Sequence, residues 1–200
     1  MGTFWDFCAP FYDFAEMTNG RAYGEMLKTV NRLVPNGATV FEAAAGTGSI
    51  SIAVSDKTVH VTCTDISEKM RNVAQRKIKK LDIQNITVEP QSICKIEKPD
   101  NSYDVVIAGQ ILHLIDEPEK AAMELKRIAK QMVILPMSFT KKLQGTAKLG
   151  IAVYRFFGFA PKREFTSEEY KSFLPSIGFE NCEHIQIPGK IPMAVAVWRK

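Results

Sequence analysis

Two acids and two glycines lie close together early in the chain. Glu42, Gly46 and Gly48 fall in VFEAAAGTGSISIAV, and Asp65 falls in VTCTDIS. Glycines permit positive φ and let a backbone approach a ligand with no Cβ in the way. Asp65 follows the glycine turn by about twenty residues, the spacing at which a carboxylate takes both hydroxyls of a ribose. Glu42 stands just before the turn, where its charge repels a pyrophosphate and attracts an ammonium or sulfonium. Ser51 occupies the position of the third glycine in a dinucleotide fingerprint. The chemistry these residues fit is the binding of a cationic, phosphate-free adenosine ligand. S-adenosylmethionine has those properties, whereas GTG alone is equally compatible with a plain strand-to-helix turn.

Such residues need strands that end at a common edge. ATVFEAAA reads as a first strand, with a helix after it through Ser49–Ser55, and VHVTCTDI reads as a second strand. ISEKMRNVAQRKIKKL is a helix capped by Ser67, with Ile66, Met70, Val73, Ala74, Ile78 and Leu81 at helical spacing. NITVEPQ is a short third strand. SYDVVIAGQ is a fourth, nearly continuously apolar and therefore expected at the centre of the sheet. EPEKAAMELKRIAK is a helix with Pro118 in its first turn, and QMVILPM is a fifth strand. TSEEYKSFLPSIGF opens with a capping box from Thr166 to Glu169. ENCEHIQI and IPMAVAVWRK are joined too closely for a crossover helix, so they form an antiparallel pair. This alternation predicts an α/β, doubly wound, Rossmann-like fold with a seven-stranded, mostly parallel sheet and an antiparallel C-terminal hairpin strand.

The chain of 200 residues is read as one domain over 1–200. Residues 1–35, the aromatic-rich FWDFCAPFYDFAEM followed by a helix through Tyr23–Leu33, are read as a cap or lid. Residues 138–165 are read as an insertion lining the substrate pocket, with Leu149, Val153, Phe156 and Phe157 on one helix face. A net charge of +4 is mild, so nucleic acid is not the expected partner. No apolar run is long enough to span a membrane, and MGTFWDFCAP lacks the plan of a signal peptide. The four scattered cysteines argue against a metal site and point to a reducing cytoplasm. No feature of the sequence sets an oligomeric state.

Taken together, VFEAAAGTGSIS, VTCTDIS, PDNSYDVVIAGQILHLID and the terminal hairpin resemble the class I S-adenosylmethionine-dependent methyltransferases. The resemblance is to the small-molecule type related to quinone-biosynthesis enzymes, and it runs from about Pro10 to the C-terminus. It implies that Glu42, Ala43, Ala44, Gly46 and Gly48 surround the methionine part of the cofactor. Asp65 would hold the ribose, with Ile66 and Met70 against the adenine and Ser92 and Ile93 along its other side. Ala108, Gly109 and Gln110 would pass beneath the sulfonium. Two positions depart from the family pattern. Ala44 stands where a glycine is usual, and its methyl is expected to require negative φ there. Ser92 stands where an acid is usual near the adenine amino group.

Methyl transfer requires an acceptor atom held in line behind the methyl group, with water excluded. His113, shortly after the fourth strand, is the leading candidate for a catalytic base, with Tyr12 and Asp13 as further candidates. Cys8 has no positive neighbour to lower its pKa and is not expected to react. The aromatic residues Phe4, Trp5, Phe7, Phe11, Tyr12 and Phe14, with Tyr154, Phe156 and Phe157, point to a small, partly apolar acceptor. Competing readings are a non-catalytic binder of S-adenosylmethionine on the same fold and a methyltransferase acting on a macromolecule. The segment AGQI lacks the aromatic-proline tetrad expected of many macromolecule-modifying enzymes. A nicotinamide-dependent oxidoreductase conflicts with Glu42, Ser51 and the terminal hairpin.

Overall fold

The computed structural model of the chain describes Ala9 and residues 20–143, 145–156 and 158–200. Seven strands form a single sheet in the order β3-β2-β1-β4-β5-β7-β6. They are β1 (Thr39–Glu42), β2 (His60–Thr64), β3 (Ile86–Glu89), β4 (Tyr103–Ile107), β5 (Ala129–Ser138), β6 (Glu183–Ile187) and β7 (Met193–Arg199). The helices are α1 (Gly20–Leu33), α2 (Ser49–Val54), α3 (Glu68–Lys80), α4 (Pro118–Ile128), α5 (Gly145–Phe156) and α6 (Ser167–Ser176). The first five strands are parallel, and β7 pairs antiparallel with both β5 and β6.

The apolar content of each strand follows from its place in this order. β4 occupies the middle of the sheet, and Val105, Val106 and Ile107 are fully buried. Side chains alternate between two faces. Phe41 and Val106 join Leu125, Ile128, Tyr170, Leu174 and Phe179 under α4 and α6. Val40, Val105 and Ile107 join Met26, Val30, Val54, Ala74 and Ile78 under α1, α2 and α3. Burying one such side chain contributes about 1.5–3 kcal/mol. The buried Tyr170 hydroxyl donates to the Leu135 carbonyl at 3.3 Å, which ties α6 to β5.

Local signals set the helix starts. The Ser67 side chain accepts a hydrogen bond from Met70 N at the head of α3. Thr166 and Glu169 form the reciprocal capping box of α6. Pro118 opens α4, as its position in the sequence predicts. Several boundaries differ from the sequence reading. β1 ends at Glu42 rather than running through the alanines, because the turn begins at Ala43. The helix before β5 stops at Ile128, and β5 takes in Ala129 and Lys130 without a connecting loop. α1 begins at Gly20, three residues before the expected start, and α2 ends at Val54 with a 3₁₀ turn over Ser55–Lys57.

Candidate active site at the strand carboxyl ends

The chain changes direction across the sheet between β1 and β4, and the crevice beyond their carboxyl ends is where an open α/β sheet takes its ligand. Register brings Glu42 opposite Cys63 of β2 and Ile107 of β4. The backbone then bonds alternately to each neighbour: Ala43 N to Ile107 O at 2.8 Å, and Ala45 N to Thr64 O at 2.8 Å. The Thr64 hydroxyl donates to the Glu42 carbonyl at 2.9 Å. The turn that follows is left-handed at three residues, with φ of 51° at Ala44, 57° at Gly46 and 75° at Gly48. The expectation that Ala44 keeps negative φ is therefore wrong. The flanking strand bonds dictate the turn, and alanine accepts the strain of the left-handed region there.

The two glycines serve different ends. A Cβ at Gly46 meets nothing within 4 Å among the described residues, which leave this edge of the turn open to a ligand. A Cβ at Gly48 would lie 3.1 Å from Ala74 Cβ and 3.5 Å from Cys63 Sγ. Gly48 lets α3 pack directly on the turn. Gly109 is similarly hemmed in, with a Cβ there 3.0 Å from Ile50 Cδ1 of α2.

Glu42 is 2% exposed, and its Oε2 accepts hydrogen bonds from Ser51 N at 2.7 Å and from the Ser51 hydroxyl. Burial pushes its carboxyl up to about 7; the Ser51 bonds oppose that rise, and the nearby charge of Asp65 adds to it. Asp65 is oriented from both sides, with Oδ2 accepting from Gly46 N and Oδ1 from Ser67 N, each at 2.8 Å. Arg71 Nη1 donates to the carbonyls of Asp65 at 2.8 Å and Ile66 at 2.9 Å, which fastens the β2 tip to α3. Lys77 Nζ donates to Ser49 Oγ at 3.0 Å on the outer side of the turn.

The remaining cofactor candidates divide by exposure. Ile66 is 79% exposed beside Asp65, whereas Met70 at 2% and Ile93 at 8% are buried. Ser92 is exposed, and its hydroxyl accepts a long bond from Cys94 N at 3.4 Å. Ala43 and Ala108 are buried. Gln110 has φ of 56°, and its side chain is engaged: Nε2 donates to Ser138 Oγ at 2.7 Å, and Oε1 accepts from Ser138 N at 2.9 Å. Gln110 N donates to the Pro136 carbonyl at 2.9 Å. The glutamine thus clamps the tips of β4 and β5 together.

His113 lies on the loop after β4, its ring edge-on to Phe159 at 6.5 Å between centroids. Its Nδ1 is buried, with no hydrogen-bond partner among the described residues. Burial pushes its pKa down to about 4, against a weak opposing pull from Glu164, so the imidazole is neutral at neutral pH. Arg163 straps the insertion onto this loop, donating from N to the His113 carbonyl at 3.1 Å and from Nη1 to the Ile115 carbonyl at 2.8 Å. Tyr12, Asp13, Cys8 and the other N-terminal aromatics lie outside the described residues, as does Phe157.

Residues 40–132 match the family model described as a methyltransferase domain. A ubiquinone/menaquinone biosynthesis C-methyltransferase of Burkholderia mallei is 31% identical over 129 residues, 60% of this chain and 50% of the relative. A phosphatidylethanolamine N-methyltransferase of Cereibacter sphaeroides is 24% identical over 132 residues, 64% of each chain. The crystal structure of a SAM-dependent methyltransferase from Aquifex aeolicus aligns with a TM-score of 0.69 at 25% identity, over 92% of both chains. Residues 40–132 thus resemble a methyltransferase domain, and the fold as a whole resembles that of a solved SAM-dependent methyltransferase. The matched segment spans between half and two thirds of the length of these two curated relatives.

S-adenosylmethionine fits the residues present. The open edge at Gly46 leaves room for backbone approach, and two acids flank a turn that holds no basic side chain of its own. Ser51, Ser138, Arg71 and Arg163 hold parts of this candidate site that the sequence did not reveal. Ser51 carried a signal, since a serine in the first turn of α2 offers both a backbone and a side-chain donor to an acid. Ser138 and Arg163 act over long sequence separations and left none.

Proposed function

We propose that the chain is a methyltransferase that uses S-adenosylmethionine to methylate a small, partly apolar acceptor. The observation that carries this reading is the buried Glu42 carboxyl beside Asp65, beneath a left-handed glycine turn. That pair of acids suits a cation and disfavours a pyrophosphate. Bound S-adenosylmethionine supplies an activated methyl group on a sulfonium leaving group. Glu42 and the turn from Ala43 to Gly48 would hold its methionine part, and Asp65 would accept from the ribose hydroxyls. Ile66, Met70, Ser92 and Ile93 would border the adenine. Ala108, Gly109 and Gln110 would contribute backbone beneath the sulfur, since the Gln110 amide is committed to Ser138.

On the acceptor side we assign His113 the role of proton acceptor at Nδ1. The nitrogen left without a partner among the described residues supports the assignment, and the loop after β4 must shift to bring it to an acceptor. An acceptor hydroxyl at that nitrogen would satisfy it. The insertion over 138–165 would border the acceptor and exclude water, a role favoured by the Arg163 strap and by Thr140 Oγ1 donating to Glu164 at 3.0 Å. The similarity to a C-methyltransferase of ubiquinone/menaquinone biosynthesis favours a small acceptor over a macromolecule. The unbridged thiols of Cys63, Cys94 and Cys182 favour a cytoplasmic location.

Calorimetric titration with S-adenosylmethionine, S-adenosylhomocysteine and NAD tests the cofactor. Binding of the first two without the third is expected, and binding of NAD alone rejects the proposal. Formation of S-adenosylhomocysteine on incubation with phenolic and quinol acceptors separates an enzyme from a non-catalytic binder.

A further inference from the structure

The segment from Ser138 to Arg163 carries six of the chain's 26 Lys and Arg and none of its 22 Asp and Glu. The rest of the chain is therefore net acidic. Within this segment, α5 turns one face outward: Lys148, Leu149, Ala152, Arg155 and Phe156 are all exposed, at offsets of one, four, seven and eight residues from Lys148. These offsets describe a single helix face. Leu149 is 67% exposed and Phe156 is 87% exposed, while Ala147 and Ile151 are half-buried. Two of the cations meet acids of the body, in the pairs Lys141–Glu169 and Lys162–Asp116, and Arg155 meets Glu164 just past the segment. Lys142 and Lys148 stand in no ion pair among the described residues. No helix among the described residues is long and apolar enough to cross a membrane.

We propose that the outward face of α5 docks on the surface of an anionic lipid bilayer. Leu149 enters the boundary between headgroups and acyl chains, and Lys142 and Lys148 rest against lipid phosphates. Apolar residues beside cations on one helix face, without acids, are what an in-plane interfacial helix needs. Charge complementarity favours a negative lipid surface over a second copy of this chain, which would bring like charges together. α5 follows β5, whose last residue, Ser138, bonds Gln110 at the site, so docking would turn the acceptor side of the crevice toward the bilayer. The inference stands apart from the proposed chemistry and does not depend on it.

Co-sedimentation of the full chain with vesicles tests it, using phosphatidylcholine alone and phosphatidylcholine mixed with phosphatidylglycerol. Binding to the mixed vesicles only, weakening with salt, is expected. Lys148→Glu and Leu149→Gln should each cut partitioning by about tenfold, with S-adenosylhomocysteine affinity as the control for folding. Equal binding to both vesicles, or to neither, overturns the proposal. Tight binding to soluble heparin, with vesicle binding insensitive to Leu149→Gln, overturns it in favour of a polyanion. A dimer in solution that Leu149→Gln dissociates overturns it in favour of self-association. Should a variant fail to bind S-adenosylhomocysteine, slowed amide exchange in α5 of the unaltered chain on mixed vesicles decides: protection supports docking, and its absence rejects it.

Discussion

Glu42 of β1 caps α2 through Ser51. The N-cap position of that helix is Gly48, which has no side chain to offer. The Glu42 carboxylate reaches across nine residues and takes the backbone N–H of Ser51 at 2.7 Å. A negative charge at a helix N-terminus interacts favourably with the helix dipole. One acid thus joins strand and helix and places a carboxyl at the bottom of the proposed cofactor crevice.

This arrangement predicts that cofactor affinity depends on pH. A cation bound beside Glu42 favours its ionised form, so binding should release a proton near pH about 7. The affinity for S-adenosylmethionine should rise as pH increases through that value and then level off. Glu42→Gln should remove the pH dependence and weaken binding by about 1–3 kcal/mol at higher pH. Calorimetry in buffers of differing ionisation enthalpy reads both effects.

Stability should respond to Glu42 and His113 with opposite signs. The Glu42 carboxyl, at about 7 when folded against an ordinary 4.5, keeps its proton after the unfolded chain has lost it. Its contribution is complete below pH 4.5 and is lost as pH rises through about 7. His113, at about 4 when folded against an ordinary 6.5, behaves in reverse. Its contribution is complete above 6.5 and is lost as pH falls through about 4. Each is worth about 3 kcal/mol at full extent. Between the two ordinary values the wild-type curve should be nearly flat. Glu42→Gln should tilt it upward with pH and His113→Asn downward, as read by urea unfolding at a series of pH values.

Gly48→Ala should destabilise the fold by about 2–4 kcal/mol, adding left-handed strain to a contact with Ala74. Gly46→Ala carries only the strain, because its Cβ meets nothing. Thermal unfolding of the two variants should therefore rank Gly48→Ala as the less stable. An equal loss in both would mean that α3 yields to the added methyl.

Asp65→Ala should weaken S-adenosylmethionine and S-adenosylhomocysteine alike by about 1–3 kcal/mol, since both carry the ribose. Free methionine should compete equally well in variant and wild type. Unchanged affinity for the two cofactor forms would place the ribose elsewhere.

Much of the fold was legible in the sequence because strands buried on both faces read as apolar runs. VVI of β4 announced a central strand, and Ser67 and Thr166 announced helix starts. Ala129 and Lys130 misled because alanine and lysine both favour helix, while the pairing of Ala129 with Tyr103 of β4 is set by tertiary contact. The site was legible in the spacing of Glu42, the glycines and Asp65. Its internal wiring was not. The clamp between Gln110 and Ser138 spans 28 residues, and the Arg163 strap onto His113 spans 50. Nothing local marks either partner. The left-handed Ala44 was hidden for a related reason, since the neighbouring strands impose a conformation that alanine does not advertise.

β7 lies between β5 and β6 and pairs with β5 along seven successive residues. In chain order it comes after α5, α6 and β6. Until it arrives, β5 presents Val133, Ile134 and Leu135 along an unpaired edge. Folding must therefore hold an adhesive strand open across more than fifty residues of later chain, so the slow step and the window for misassembly should both be closure of β7 onto β5.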